Sequence, residues 1–137
     1  MRKSAGFTLI EIVIILVIIG ALATIAIPSY MRSLERGRCT FAINTLKAMR
    51  SAALVYFREN QAYTGMTLDN METLVGANFY SDNSHPDWEF TIFLLLANDF
   101  TLRAKRLNGP LAEDVINFKS NEQFTGSTYP YQDPGDF

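Results

Sequence analysis

The residue of this chain whose chemistry stands out is Glu11, the only formal charge between Phe7 and Ile27. An ionised carboxylate at membrane depth is unfavourable by about 2.5 to 3.5 kcal/mol, so such a residue usually has a partner and marks a functional position. Cleavage after Gly6 would give Phe7 an α-amino group with a pKa of roughly 8, which is largely cationic at neutral pH. In an array of parallel, staggered helices, the amine of one subunit could meet the carboxylate of another. We therefore predict that Glu11 is a docking group that is paired only after assembly.

The other residues that could support catalysis or bind a ligand give only weak signals. His85 is the only histidine and lies between Ser84 and Pro86, where the sequence predicts an exposed turn rather than a general base. Cys39 is the only cysteine, so an intramolecular disulfide is excluded and a small buried hydrophobe is expected. The sequence contains neither a glycine-rich phosphate loop nor a metal-ligand spacing of histidine and cysteine. We therefore predict no enzymatic activity and no cofactor.

The segment that positions Glu11 is long enough to cross a membrane. About twenty apolar residues, at about 1.5 Å of rise each, span a hydrocarbon core of roughly 30 Å. Arg2 and Lys3 precede this segment, so the positive-inside rule places the N-terminus in the cytoplasm and everything after Ile27 on the other side. We predict a transmembrane and filament-core helix over residues 7–30, with membrane lipid as its partner before assembly.

The N-terminal pattern resembles a known signature. A basic leader ends in Gly6 and is followed by Phe7-Thr8-Leu9-Ile10-Glu11 and an uninterrupted apolar helix. This pattern is similar to the prepilin signature of type IV pilins and of the pseudopilins of type II secretion systems. The resemblance is specific over residues 1–30 and looser in the rest of the chain.

The resemblance implies processing followed by polymerisation. Prepilin peptidase would cut between Gly6 and Phe7, remove residues 1–6 as a leader peptide and methylate the new amine of Phe7. The precursor would lie in the bacterial inner membrane, with its N-terminus cytoplasmic and its head periplasmic. An inner-membrane assembly platform and its ATPase would then draw it, through docking at Glu11, into a homopolymer or a mixed filament. That filament is a periplasmic pseudopilus or an extracellular pilus.

Gly20 and Pro28 stand where the family places helix-weakening residues. Proline cannot donate a hydrogen bond to the carbonyl of Thr24 and its ring crowds that carbonyl, which costs about 3 kcal/mol in a helix interior. In lipid the helix should persist, because freed backbone groups find no water there. In a filament the stretch from Gly20 to Pro28 is expected to kink or partly unwind, and the sequence leaves both outcomes open.

An ordinary secretory signal peptide is the alternative interpretation. A basic start, an apolar core and the small-residue site Ala21-Leu22-Ala23 also fit that class. A cut after Ala23 would release a soluble exported binding protein. The carboxylate of Glu11 within the apolar core argues against it, as does the apolar run that continues past the site. The mature N-terminus separates the two interpretations.

Composition limits the remainder to one modest head over residues 31–137. The net charge of the 137-residue chain is −2, and removal of Arg2 and Lys3 gives −2 − 2 = −4 for the mature side chains. This mild acidity does not indicate nucleic acid as a partner. The absence of a disulfide departs from many type IV pilins and favours pseudopilins or disulfide-free pilins.

The head is predicted to begin with an amphipathic helix over residues 31–60. Ala42, Leu46, Met49 and Ala53 recur at helical spacing, and Asn60 is a plausible stop. A loop follows at residues 61–87 and contains a short helix. Thr67 caps that helix, Leu68, Met71 and Leu74 share one side of it, and Gly76 ends it.

A β-sheet is predicted over residues 88–119. Trp88, Phe90, Ile92 and Leu94 alternate with their neighbours, and a second alternating run begins at Phe100. These runs form a hairpin, and Val115 to Lys119 offers another strand. We predict an α+β fold, in which a long N-terminal helix packs on a small antiparallel sheet of three or four strands, the α/β-roll that the pilin resemblance implies.

The C-terminal tail, residues 120–137, is predicted to be irregular from Thr125 onward and to pack Tyr129 and Tyr131 on the sheet. Asp133 and Asp136, together with Asp82 or Asp87, could offer oxygen ligands to calcium, as the resemblance to some major pseudopilins allows. Their spacing fits no defined calcium loop, so no metal site is predicted.

Overall fold

A 52-residue helix begins almost at the start of the described chain, and a four-stranded antiparallel sheet follows it. The computed structural model describes residues 7–109 and 112–126. Two compact units divide the chain after Gly37. The elements are α1 (Leu9–Asn60), α2 (Leu68–Val75), β1 (Trp88–Leu95), β2 (Phe100–Arg106), β3 (Val115–Lys119) and β4 (Phe124–Gly126).

From Cys39 onward, α1 buries one face in the core of the head. The predicted stripe is confirmed, since its four principal members are all fully buried, and Asn60 is the last helical residue. Tyr56 and Phe57 pack against the edge of the same core. The buried α1 residues are Cys39, Ala42, Ile43, Leu46, Met49, Ala52 and Ala53.

The short helix α2 is held by the caps that the sequence predicts. Thr67 and Asn70 form a reciprocal capping box, in which the side chain of each accepts a hydrogen bond from the backbone N–H of the other. Gly76 adopts the left-handed conformation at the C-terminal end, with φ 64°, and its N–H donates to the carbonyl of Glu72 at 2.9 Å. Met71 is the buried contact of this helix with the core.

The sheet has the strand order β1-β2-β3-β4. Phe100, Leu102 and Ala104 of β2 are fully buried, and the hairpin of β1 and β2 is confirmed. The predicted alternation of β1 fails after Ile92, because the register shifts between Ile92 and Leu94. Leu94, predicted to face the core, is 42% exposed. A bulge adds one residue to the strand and thereby reverses the sides that follow it.

Strand β4 is the fourth strand of a sheet predicted to have three or four, and it lies within residues 120–137, which are predicted as the C-terminal tail. The sheet therefore extends past residue 119. Phe124 of β4 stacks on Phe118 of β3 with ring centroids 4.1 Å apart, and Gly126 pairs with Ile116. Three residues are too few to show an alternating pattern, so this strand has no sequence signal of its own. Tyr129, Tyr131, Asp133 and Asp136 lie outside the described residues.

Among the glycines of the head that the structure describes, Gly126 is predicted to tolerate replacement least. A Cβ built there would lie 2.1 Å from the carbonyl oxygen of Val115, and its φ of 145° disfavours other residues. Gly126→Ala should reduce the free energy of unfolding by about 2 to 4 kcal/mol. Gly37→Ala is the matched control, because nothing lies within 4 Å of its Cβ, and alanine in a helix should be neutral or stabilising. Equal unfolding midpoints for the two variants in denaturant would contradict this packing.

Candidate assembly site on the N-terminal helix

Glu11 lies in the first turn of α1 and makes a reciprocal pair with Thr8. The backbone N–H of Thr8 donates to Oε2 of Glu11 at 3.4 Å, and the N–H of Glu11 donates to Oγ1 of Thr8 at 3.3 Å. This is a capping box, and it also places a negative charge at the positive end of the helix dipole. The sequence pattern Thr8-x-x-Glu11 contains this signal, which the prediction of Glu11 as a docking group does not use.

The capping contact leaves the charge of Glu11 uncompensated. Among the described residues, no cation lies within ion-pair distance of its carboxylate. Phe7, which would carry the amine after cleavage, is 72% exposed. Gly6, Arg2 and Lys3 lie outside the described residues. A cation that neutralises Glu11 after removal of the leader must therefore be the new N-terminus or come from another molecule.

The surface around Glu11 is apolar and has no cover within its own unit. All residues from Phe7 to Tyr30 are exposed except Ala23, which is half-buried. An 18-residue window of this helix has a mean hydropathy of 2.9 and no buried residue, so by length and composition it could cross a membrane. Such a surface is unstable in water because it exposes large aliphatic side chains on every side.

Gly20 and Pro28 lie within an unbroken helix. The hydroxyl of Thr24 donates to the carbonyl of Gly20 at 2.9 Å, and the hydroxyl of Ser33 donates to the carbonyl of Ser29 at 3.2 Å. Hydroxyls that share a helical carbonyl in this way slightly weaken and bend helices. The weakening role of Gly20 and Pro28 in a filament stays a prediction, and Thr24 adds a third contributor.

In the head, His85 packs among aromatic rings rather than lying in an exposed turn. Its ring stacks on that of Phe41 with the ring centroids 4.8 Å apart. The ring of Tyr80 packs edge-on against it, also with a centroid distance of 4.8 Å. Its Nδ1 accepts hydrogen bonds from the backbone N–H groups of Asp87 at 3.2 Å and Trp88 at 3.1 Å. Burial lowers the pKa of His85; Asp87 opposes this change and Arg106 adds to it. Neutral His85 therefore fixes the entry into β1.

Asp87 lies between two arginines. Its carboxylate is 3.6 Å from Nε of Arg38 and 3.9 Å from Nη2 of Arg106. Arg106 is 1% exposed, donates from Nε to the carbonyl of Asn108 at 2.7 Å and lies over the ring of Trp88. Because the buried guanidinium needs an anion nearby, we interpret this cluster as structural.

The carboxylates considered for calcium have other contacts. Asp87 faces the two arginines, and Asp82 accepts a hydrogen bond from the N–H of Ser84 at 3.0 Å. Within residues 7–109 and 112–126, no three histidine, cysteine or carboxylate side chains converge as metal ligands. Cys39 is buried at 2% exposure.

The comparisons with known proteins agree with the N-terminal pattern. Residues 1–27 match the family model of the prokaryotic N-terminal methylation motif. The chain is 38% identical over 74 residues to type II secretion system core protein G of Pseudomonas aeruginosa, covering 54% of this chain and 51% of that protein. It is 40% identical over 62 residues to the type IV major pilin protein PilA of Myxococcus xanthus, covering 45% and 28% respectively. The chain thus spans about half the length of the first of these relatives and less of the second.

A solved structure has the same fold. The non-core minor pilin PilV of Neisseria meningitidis matches with a TM-score of 0.55 at 15% identity, covering 75% of this chain and 96% of that one. This likeness confirms the predicted α+β architecture, in which a long helix packs on a small antiparallel sheet.

His85 should make the stability of the head depend on pH. Because its pKa is lower in the fold than in the unfolded chain, the unfolded chain binds the proton first as pH falls. The contribution of neutral His85 is therefore complete above about pH 6.5 and decreases from there toward the folded pKa. Unfolding midpoints measured from about pH 8 to about pH 5 should show this decrease.

The control is His85→Asn, whose amide oxygen can accept a hydrogen bond but does not titrate. Its profile should be flatter over the same range. Glu72 titrates in a lower window, because hydrogen bonds from Ser81 and Phe79 outweigh burial and lower the pKa of its carboxyl. If the unfolding midpoints of the wild-type chain and the variant depended on pH in the same way, His85 would not be the group responsible.

Proposed function

We propose, on the premise that this chain belongs to the family of type IV pilins and type II secretion pseudopilins, that it is a structural subunit of a filament. The observation that carries this function is the exposed apolar helix with Glu11 in its first turn. Parallel packing of such helices from many copies would remove the apolar surface from lipid and water together. Catalysis is not part of the proposed function.

Maturation by prepilin peptidase has a physical purpose in this proposal. The leader, residues 1–6, contains Arg2 and Lys3, and these cations would otherwise enter an apolar filament core at high cost. Cleavage between Gly6 and Phe7 removes them and creates an α-amine in the layer where Glu11 lies. The same enzyme would then methylate the amine of Phe7.

Glu11 sets the axial register between neighbouring subunits of the filament. Within residues 7–109 and 112–126, its carboxylate contacts only Thr8, a neutral partner. In a staggered array the amine of Phe7 on a neighbouring copy would supply the missing cation. An unpaired charge in an apolar array is strongly unfavourable, so only the register that pairs amine and carboxylate is stable.

The proposed location follows from the same segments. Residues 7–30 cross the inner membrane before assembly, and residues 31–137 form a periplasmic head. An assembly platform with a cytoplasmic ATPase then moves the subunit into a pseudopilus or a pilus. Within the filament, the stretch from Gly20 to Pro28 is the part of α1 that unwinds most readily.

The soluble exported protein is not favoured. A cut after Ala23 would discard most of the segment that matches the methylation motif, residues 1–27. The relatives named above are a type II secretion system core protein and a type IV major pilin, which supports the filament proposal.

Replacement of Gly6 should block maturation. Gly6→Val puts a β-branched side chain beside the scissile bond, and the chain should remain in the membrane as precursor at its full mass. Gly37→Ala, which changes a glycine far from that bond, should mature normally. Intact-protein mass spectrometry of membrane extracts distinguishes the two forms. A normal loss of residues 1–6 from Gly6→Val would contradict cleavage at this position.

Two substitutions of Glu11 separate its charge from its capping role. Glu11→Gln keeps an oxygen that can accept from the N–H of Thr8 but removes the charge, and Glu11→Leu removes both. We expect both variants to insert into the membrane and to lower filament yield by about tenfold or more, equivalent to about 1.4 kcal/mol.

Sheared filament yield, measured against the membrane-inserted pool, tests this expectation. Normal assembly of Glu11→Gln combined with failure of Glu11→Leu would reduce Glu11 to a helix cap. Normal assembly of both variants would remove its docking role.

A further inference from the structure

A polar stripe lies directly beyond the apolar segment of α1. Ser29, Arg32, Ser33 and Arg36 are separated by three and four residues, so they share one helix face, and all four are exposed. We call these four residues the arginine–serine stripe. Glu35 is the only acidic residue within its span and is half-buried rather than exposed.

We propose that the arginine–serine stripe binds the phosphate groups of anionic phospholipids at the exported surface of the membrane. This inference rests on the proposed insertion of the precursor into the membrane. Binding at the arginine–serine stripe would hold the precursor at a defined depth in the membrane before assembly.

The distance from the apolar segment supports a headgroup contact. With about 1.5 Å of rise per residue, the Cα of Arg32 lies about 7.5 Å beyond Ile27 along the axis, and that of Arg36 about 13.5 Å. The headgroup layer extends roughly 5 to 8 Å beyond the hydrocarbon. Side chains on a helix tilt toward its N-terminus, which here is the membrane side, so the guanidinium of Arg32 can lie within this layer and that of Arg36 can reach its outer edge.

The chemistry of the stripe matches a phosphate. A guanidinium presents paired N–H donors that fit two oxygens of one phosphate group, and it remains charged at any physiological pH. The hydroxyl of Ser29 adds a short donor on the same face, whereas that of Ser33 donates to the carbonyl of Ser29.

The placement of these charges also needs an explanation. Basic residues next to a span are normally enriched on the cytoplasmic side, whereas the proposed topology exports Arg32 and Arg36. A contact with anionic headgroups would offset that unfavourable placement, since each basic residue near an anionic surface is attracted to it.

The test uses the full-length chain in nanodiscs that contain equal amounts of phosphatidylcholine and phosphatidylglycerol. Native mass spectrometry counts the lipids that stay bound after release. We expect phosphatidylglycerol to be enriched about fivefold over phosphatidylcholine among them, and the enrichment should fall as salt rises from about 0.05 M to about 0.5 M. In the variant Arg32→Gln/Arg36→Gln most of this enrichment should be lost, and the remainder should come from Arg2 and Lys3 at the opposite surface.

The matched control is Lys47→Gln/Arg58→Gln, which removes two exposed cations from the same helix further into the head. It should keep the wild-type enrichment. Equal losses in both double variants would point to net charge alone and overturn the stripe as a site. An unchanged enrichment in Arg32→Gln/Arg36→Gln would also overturn it, and a filament defect in that variant would then assign the stripe to acidic groups of a second copy.

Failure of this inference is distinguishable from failure of the proposed function. A chain that enters nanodiscs but shows no lipid preference overturns the phosphate site alone. A chain that does not enter nanodiscs at all overturns both proposals.

Discussion

The constraint on which the structure depends is an apolar helix surface that its own unit leaves uncovered. Large aliphatic side chains stay exposed around the whole helix from Leu9 to Ile27. Water is a poor solvent for such a surface, and the hydrophobic effect favours any environment that removes it. Lipid and the same helix of other copies are two such environments. In the proposed assembly the carboxylate of Glu11 would distinguish them, because the hydrocarbon of lipid offers it no cation and the new amine of a processed neighbour would.

The head uses the second half of α1 in a different way. There the helix buries a single stripe against a sheet, with Leu46, Met49, Phe100 and Leu102 fully enclosed. The loop between α1 and β1 is held by caps at Thr67, by the acceptor role of His85 and by the arginines around Asp87. One helix therefore meets two requirements, a surface for assembly and a conventional hydrophobic core.

The sequence predicted those parts of the fold in which spacing alone determines burial. The helical stripe from Ala42 to Ala53, the caps of α2 and the alternation of β2 all follow from local periodicity and turn chemistry. The bulge in β1 could not be predicted in this way, because it depends on pairing with β2. Strand β4 could not be predicted either, because it is too short to show a period. The aromatic surroundings of His85 likewise come from Phe41 and Phe90, which are distant in sequence.

The candidate site was predicted only in part, and for a related reason. Glu11 stood out because a charge in an apolar segment is visible in composition, but its capping contact with Thr8 was missed. That contact belongs to a local helix-start pattern in the same residues, which is independent of the cost of a charge in the membrane. The arginine–serine stripe has periodicity in the sequence, yet its meaning depends on where the apolar segment ends and which way helical side chains tilt.

The mature N-terminus is the most direct test of the central claim that proteolysis creates the cation for Glu11. Mass spectrometry of the protein isolated from cells should show a chain that begins at Phe7 with a methyl group on its amine. A chain that still begins at Met1, or one that begins at Thr24 without the apolar segment, would contradict the account.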